Sequence, residues 1–379
     1  IGSDAGTALT TGVQNTIIGG LAGDAGTSLN RSVAIGVGAL SADTTGGRAV
    51  AIGQSALAVQ NFTDSTDNYN VAIGFEAGKA VTTGTGNTFI GGLSGDANTT
   101  ASNNTAVGYF SLSANTTGTG NTAIGYHAAL STTTGTENTT LGFQSLRENT
   151  TGVQNVAIGY EALEAMTTGG KHVAVGYQAL KTEDTHDRST AIGYQSLTTQ
   201  NAGANAQNTA VGYASGSAVT TGIENTFIGA SAGETATNPS YTTAVGKSAL
   251  GGGSLSGSYN TAVGRTSGLA MSTGANNTLV GFASGEAITT GASNTFIGSA
   301  SGDANTTGSE NTAVGYLSFS GNTEGSGNVA VGRQALLTNT TGDNNTALGK
   351  DALKLNTTGS KGVAVGREAL ESCTTGSGN

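Results

Sequence analysis

The sequence predicts an all-β chain, a parallel β-solenoid of about 22 coils with a 17-residue repeat, and three observations carry that prediction. A phrase such as Asn104-Thr105-Ala106-Val107-Gly108-Tyr109 returns from end to end of the chain, its glycine running from Gly2 through Gly108 and Gly125 to Gly366. Successive glycines are 17 residues apart, with steps of 21, 19 and 18 once each. The residue before each glycine is Ile, Val or Leu, and the residue three places after it is Ala or Ser.

Taken in order, each part of the coil has a reason. The Asn-Thr-Ala-Val-Gly phrase is rich in β-branched residues and reads as a strand. The residues before the glycines form a ladder that the packing predicts as structural core: Ile18, Ile35, Ile52, Ile73, Ile90, Val107, Ile124, Leu141, Ile158, Val175, Ile192, Val211 and Ile228. The following Gln-Ala-Leu type phrase reads as a second short strand, its small residue allowing two backbones to approach. Thr-Thr-Gly, as at 116–118, closes the coil, and its glycine suits a turn with positive φ. At about 4.8 Å per coil, such a stack extends roughly 105 Å.

Side-chain volumes predict one contact. Where the residue two before the glycine is large (Ile17, Phe89, Phe227, Leu279, Phe296), the residue four after it is glycine: Gly23, Gly95, Gly233, Gly285, Gly302. Where that later residue is Leu112, Leu163, Leu180 or Leu336, the earlier one is small. Two positions that share one close-packed space behave in this way. The residues one and two before the glycine then point to opposite faces of one strand, so both faces are apolar, one to fill the interior of the coil and the other to be covered by something else. Identical chains are the expected cover for the second face, and the sequence predicts an oligomer.

Longer coils interrupt the period at Phe62 to Asn68, Asn201 to Ala206 and Gly251 to Ser256, and Pro239 marks an irregular turn. The whole of 1–379 reads as a single repeat domain. Ile1-Gly2 begins in mid-repeat and Gly376-Ser377-Gly378-Asn379 ends in register with a further unit, so a segment of a longer array is expected, with end-to-end stacking into a filament as the alternative.

The phrases Asn121-Thr122-Ala123-Ile124-Gly125-Tyr126, Asn155-Val156-Ala157-Ile158-Gly159-Tyr160-Glu161-Ala162-Leu163 and Ser32-Val33-Ala34-Ile35-Gly36 resemble the head repeats of YadA-type trimeric autotransporter adhesins. They are equally similar to the Asn-Thr-Ala-x-Gly-Tyr-x-Ala-Leu repeats of phage tail-fibre-like proteins. The resemblance covers the whole chain. It implies a left-handed β-roll in a homotrimer, displayed outside a cell or on a virion as a non-enzymatic shaft or adhesin head that contacts host-surface glycans or matrix.

Composition narrows the chemistry. A formal charge of -10, with 14 Lys and Arg against 24 Asp and Glu, argues against a nucleic-acid partner. No apolar run has the length of a membrane span. Cys373 is the one cysteine, so no disulfide framework is expected, and no cofactor motif is present. His127, His172 and His186 lie at different phases of the repeat, which argues against a shared metal site. Asp24, Asp96, Glu234, Glu286 and Asp303 share one phase, which turn chemistry accounts for better than a calcium row. No pair of acids at a set separation stands out for glycosidase action, so no catalytic residue is assigned. Asn-x-Ser/Thr sequons at Asn98, Asn115, Asn138, Asn149, Asn276, Asn305, Asn339 and Asn356 are candidate glycosylation sites on turns expected to be exposed. Aromatic residues after the glycine, among them Phe75, Tyr109 and Tyr126, offer a row against which sugar rings would lie. Two functional alternatives accompany the fibre reading: an ice-binding β-solenoid, and a carbohydrate-binding or cleaving fibre of the tailspike kind. Thr105-type residues share their strand face with Val107 and Tyr109, so that face lacks a Thr-x-Thr row.

Overall fold

The computed structural model describes residues 1–203 and 205–378. It is an all-β parallel solenoid with the 17-residue repeat, and no helix occurs among the described residues. Two compact units divide the chain, Ile1–Arg188 and Ser189–Asn379. Among the described residues the first unit holds ten strands, from β1 (Thr16–Ile18) to β10 (Val173–Val175). The second holds eleven, from β11 (Thr190–Ile192) to β21 (Val363–Val365). Each strand is three residues long and pairs in parallel with the strand of the next coil in its unit. Thr105, Ala106 and Val107, for example, lie beside Thr122, Ala123 and Ile124. The bonds run both ways along the stack: Thr105 N–H donates to Asn121 O at 2.8 Å, and Gly108 N–H donates to Ile90 O at 2.8 Å.

Each coil has one strand, where the sequence suggested two. The Gln-Ala-Leu phrase is a turn in which alternate residues are left-handed, as at Gln178 (φ 53) and Leu180 (φ 50), or Phe110 (φ 54) and Leu112 (φ 52). Alternation of this kind cannot build a strand, because a strand needs extended φ at every residue. It still serves the stack, since Phe110 N–H reaches back to Gly92 O and Leu112 N–H forward to Ala128 O.

The two recurrent glycines have different causes. At Gly108, φ is +137 and an added Cβ would lie 2.4 Å from Gly125 O, so both conformation and space demand glycine. The Thr-Thr-Gly glycines do not have the positive φ that the turn composition suggested. Gly118 is required by space alone, its missing Cβ lying 2.1 Å from Gly135 O and 2.6 Å from Asn115 Oδ1. Pro239 takes this same place in its coil, and its carbonyl accepts from Asn225 Nδ2 at 2.8 Å. That place lies outside the strand ladder, so the missing proline N–H is tolerated.

The core is narrow and built from the inward strand residue and the left-handed Leu or Gly. Ala106, Ala123, Leu112 and Leu146 are fully buried, as are Phe89, Phe227 and Phe296. The expected volume exchange is a real contact. A Cβ on Gly95 would meet Phe89 Cε1 at 2.5 Å, and one on Gly233 would meet Phe227 Cδ1 at 2.6 Å. Gly78, one coil earlier, faces the other edge of Phe89, where its Cβ would lie 2.8 Å from Cδ2. One phenylalanine therefore fills space in two coils.

Much of the rest of the interior is polar, with apolar residues such as Val81, Met166 and Ile288 taking a place in some coils, and the sequence reading missed the polar part. The Asn that opens each phrase is buried: Asn87, Asn104, Asn121, Asn138 and Asn155 form a column. Asn104 N–H donates to Asn87 Oδ1 at 3.0 Å, Asn121 N–H to Asn104 Oδ1 at 2.9 Å, and Asn104 Nδ2 to Gly118 O at 2.9 Å. A second column follows the turn, where Asn339 Nδ2 donates to Asn322 Oδ1 and Asn356 Nδ2 to Asn339 Oδ1. Threonine hydroxyls complete the stitching, Thr99 Oγ1 donating to Thr116 O and Thr116 Oγ1 to Thr133 O. Buried amides paired in this way satisfy backbone groups that the short strands leave open.

Candidate functional site: the outward sheet face

A three-residue strand buries only its middle residue, because alternate side chains point to opposite faces. The flanking residues and the residue after the glycine therefore stand outward in three columns. In the first unit these are Thr or Val (Thr105, Thr122, Val156), then Ile, Val or Leu (Val107, Ile124, Ile158), then, from Tyr109 to Tyr177, aromatic residues (Tyr109, Tyr126, Tyr160).

The residues expected as a core ladder occupy the middle column. They stack in register, Ile18 beside Ile35, Ile35 beside Ile52, and Ile52 beside Ile73. They are not, however, the interior of the chain's own coil. Ile35, Ile52, Val107, Ile124, Ile158, Val175 and Val211 are half-buried. Ile18, Ile73, Ile90, Leu141, Ile192 and Ile228 are exposed, Leu141 by 46%. The interior belongs to the Ala/Phe row one residue earlier. The sequence identified two apolar faces and named the Ile, Val and Leu row a core ladder without fixing which face is inner; the structure places that row on the outer one.

The aromatic column is a stack of rings. Tyr126–Phe143, Phe143–Tyr160 and Tyr160–Tyr177 have centroids 5.2, 5.2 and 5.1 Å apart and interplanar angles of 7°, 6° and 9°. Ring faces are used against one another, so the column presents edges and phenol oxygens outward. A sugar ring, which lies on an aromatic face, meets no free face along this run. His127 joins the upper part of the patch, 3.9 Å from the Tyr126 ring centroid. Burial, and then the positive charge of Arg147, hold its imidazole below the ordinary value.

Charged residues flank the aromatic column. Lys181 Nζ bonds Glu161 and also lies 3.4 Å from Glu164. Hydrogen bonding to Glu161 raises Lys181, and the same carboxylate raises the Tyr160 phenol. Burial pushes Glu161 up, but bonds from Lys181, Gln178 and Tyr160 outweigh it and leave the carboxyl low.

The other candidates are scattered. The carboxylates expected at turns are there: Asp96 accepts from Ser113 Oγ and Asp303 from Ser320 Oγ. His172 is buried in the asparagine column and its Nε2 lies 2.5 Å from His186 O, while His186 Nδ1 lies 2.8 Å from Glu183 Oε1. Among the described residues no three metal-ligating side chains converge and no concave pocket opens. The loop at Phe62 to Asn68 packs down, with Phe62 N–H and Gln60 Nε2 both donating to buried Asp43. Burial raises the Asp43 carboxyl, against four hydrogen bonds that lower it. The second longer coil, Asn201 to Ala206, includes Ala204, which lies outside the described residues.

The sequons need correction. Asn98, Asn115, Asn138, Asn149, Asn305, Asn339 and Asn356 are at most 1% exposed. Their turns reach the surface, but the asparagine amides point inward, most of them as rungs of the two columns, as when Asn115 Nδ2 donates to Gly118 O, while Asn98 is buried with no partner for its side chain among the described residues. A glycan on any of these nitrogens is incompatible with the folded coil. Asn276 is the exception, exposed at a left-handed corner with φ 61.

No helix of the described residues is long and apolar enough to cross a membrane. The chain matches no family model and no curated protein sequence.

Proposed function

We propose that the chain is a non-enzymatic structural fibre, the shaft or head of an extracellular filament, tail fibre or adhesin, assembled from three identical subunits through the outward sheet face. One observation carries the reading: an apolar column of Ile, Val and Leu, repeated in every described strand, stands outside the chain's own core. Soluble chains rarely leave so long an apolar stripe wet, and a second copy bears the same stripe at the same rise. The subunit number and the extracellular setting follow from the resemblance to YadA-type heads and tail-fibre repeats. Stacked coils supply stiffness, and contacts to host-surface glycans or matrix would be individually weak and many.

Native mass measurement in dilute solution tests the assembly. The expected result is a trimer that Ile124→Glu with Ile158→Glu dissociates while the β circular dichroism persists, since both side chains point away from the coil interior. A wild-type monomer, monodisperse at all concentrations, would end this reading. Ice binding remains as a second reading only because the Thr-Thr-Gly corners expose Thr117, Thr134 and Thr151 in successive coils. A thermal-hysteresis measurement decides it.

A further inference from the structure

Tyr241 and Tyr259 stand on successive coils of the second unit, with ring centroids 5.1 Å apart and planes 6° from parallel. They are not part of the outward sheet face. Both occupy the left-handed corner that precedes the buried polar column, with φ 56 and 62, a place that long polar side chains such as Arg31, Gln154 and Lys171 take in other coils and Gly86, Gly120 and Gly327 in a few. The backbone holds them in place, Tyr241 N–H donating to Ile223 O and Tyr259 N–H to Ser240 O, each at 3.0 Å. The two residues are 44% and 59% exposed.

We propose that Tyr241 and Tyr259 are a site of oxidative cross-linking, joined as dityrosine within one chain by a haem peroxidase and hydrogen peroxide. Each phenol gives up one hydrogen atom to form a tyrosyl radical. The two ortho ring carbons then join in one new C–C bond, and the two displaced ring hydrogens return as protons to the phenol oxygens. The two hydrogen atoms removed at the start reduce one peroxide to two waters, so the product is the chain less two hydrogens.

The composition directs oxidation to this kind of site. There is no Trp, both methionines (Met166 and Met271) are fully buried, and Cys373 is the one thiol. Two radicals held on neighbouring coils meet at a far higher effective concentration than radicals on separate chains. The corner is outside the three outward columns, and both tyrosines are exposed there. Tyr316 provides an internal comparison: it is 53% exposed, and its neighbours in the column are Ser299 and Arg333.

The test treats the folded chain, with Cys373 alkylated, with horseradish peroxidase and limiting peroxide, and maps tryptic peptides by mass spectrometry. Tyr259 is the one tyrosine of residues 248–265, the peptide between Lys247 and Arg265, so its links are read directly. The expected product is peptide 248–265 joined to Tyr241, less two hydrogens, at about ten-fold the yield of any link through Tyr316. Tyr241→Phe should abolish it, and unfolding in urea before treatment should remove the selectivity. Equal linkage through Tyr316, links only between chains on a denaturing gel, or an undiminished Tyr259 link in Tyr241→Phe would overturn the proposal.

Discussion

Replacing Phe89 by Ala removes a fully buried ring whose two edges lie against Gly78 and Gly95. Neither glycine has a side chain to collapse into the space. The loss therefore falls toward the upper part of the range for aromatic truncation, about 3–5 kcal/mol. Gly95→Leu alone overfills the same space, since even a Cβ there would sit 2.5 Å from the Phe89 ring. Together the two substitutions recreate the arrangement of Ala106 with Leu112, and Leu at 95 inherits a backbone of φ +56 close to the φ 52 of Leu112. The double variant should thus be more stable than either single one, by a coupling of about 2 kcal/mol or more. Rescue stays incomplete, because the side of the cavity facing Gly78 remains empty. Native-state hydrogen exchange at Gly95 N–H, which bonds Ser111 O at 3.0 Å, reads the local cost without requiring the whole repeat array to unfold in one step. Additive effects in the double variant would refute the shared-space argument.

Asn121→Ala deletes one rung of the buried amide column. Asn121 Oδ1 accepts from Asn138 N–H and Nδ2, and its Nδ2 donates to Gly135 O, so at least two buried groups lose partners. A loss of about 2–4 kcal/mol is expected from unsatisfied buried groups, with faster exchange confined to adjacent coils by hydrogen-exchange mass spectrometry. For His127, whose imidazole is held low by burial and then by Arg147, Arg147→Gln should move its NMR titration midpoint up toward 6.5. The sign for stability follows: the unfolded chain takes up the proton first, so His127 favours folding above pH 6.5 and that contribution is lost as pH falls through its folded value.

The repeat, the parallel stacking and the Phe89–Gly95 kind of exchange were all legible in the sequence, because each leaves a mark on residue size or spacing. The orientation of the two apolar rows was not. Val107 and Ala106 are both apolar, and nothing in composition states which one faces the coil interior until the left-handed turn at Phe110 and Leu112 fixes the path of the chain. The asparagines misled for a related reason. Asn in a Thr- and Gly-rich segment is a sign of an exposed turn, yet Asn115 and Asn138 turn their amides inward to bond backbone groups. The one available signal was periodicity itself: a turn residue that merely faces water has no reason to recur at a fixed phase beside an invariant small neighbour.

The amide columns have a consequence for how such a protein changes over generations. A rung such as Asn104 or Asn121 gives to one neighbour and takes from the other, so a duplicated coil of this kind arrives with plugs and sockets that already match. Within either unit, a whole 17-residue module can be gained or lost with the amide pattern kept in register, provided that a ring such as Phe89 still meets glycine in the coil beside it, whereas losing a single residue from a module would shift its asparagine out of register. The number of coils is the quantity such a stack can change, while the phase of the pattern has to be kept.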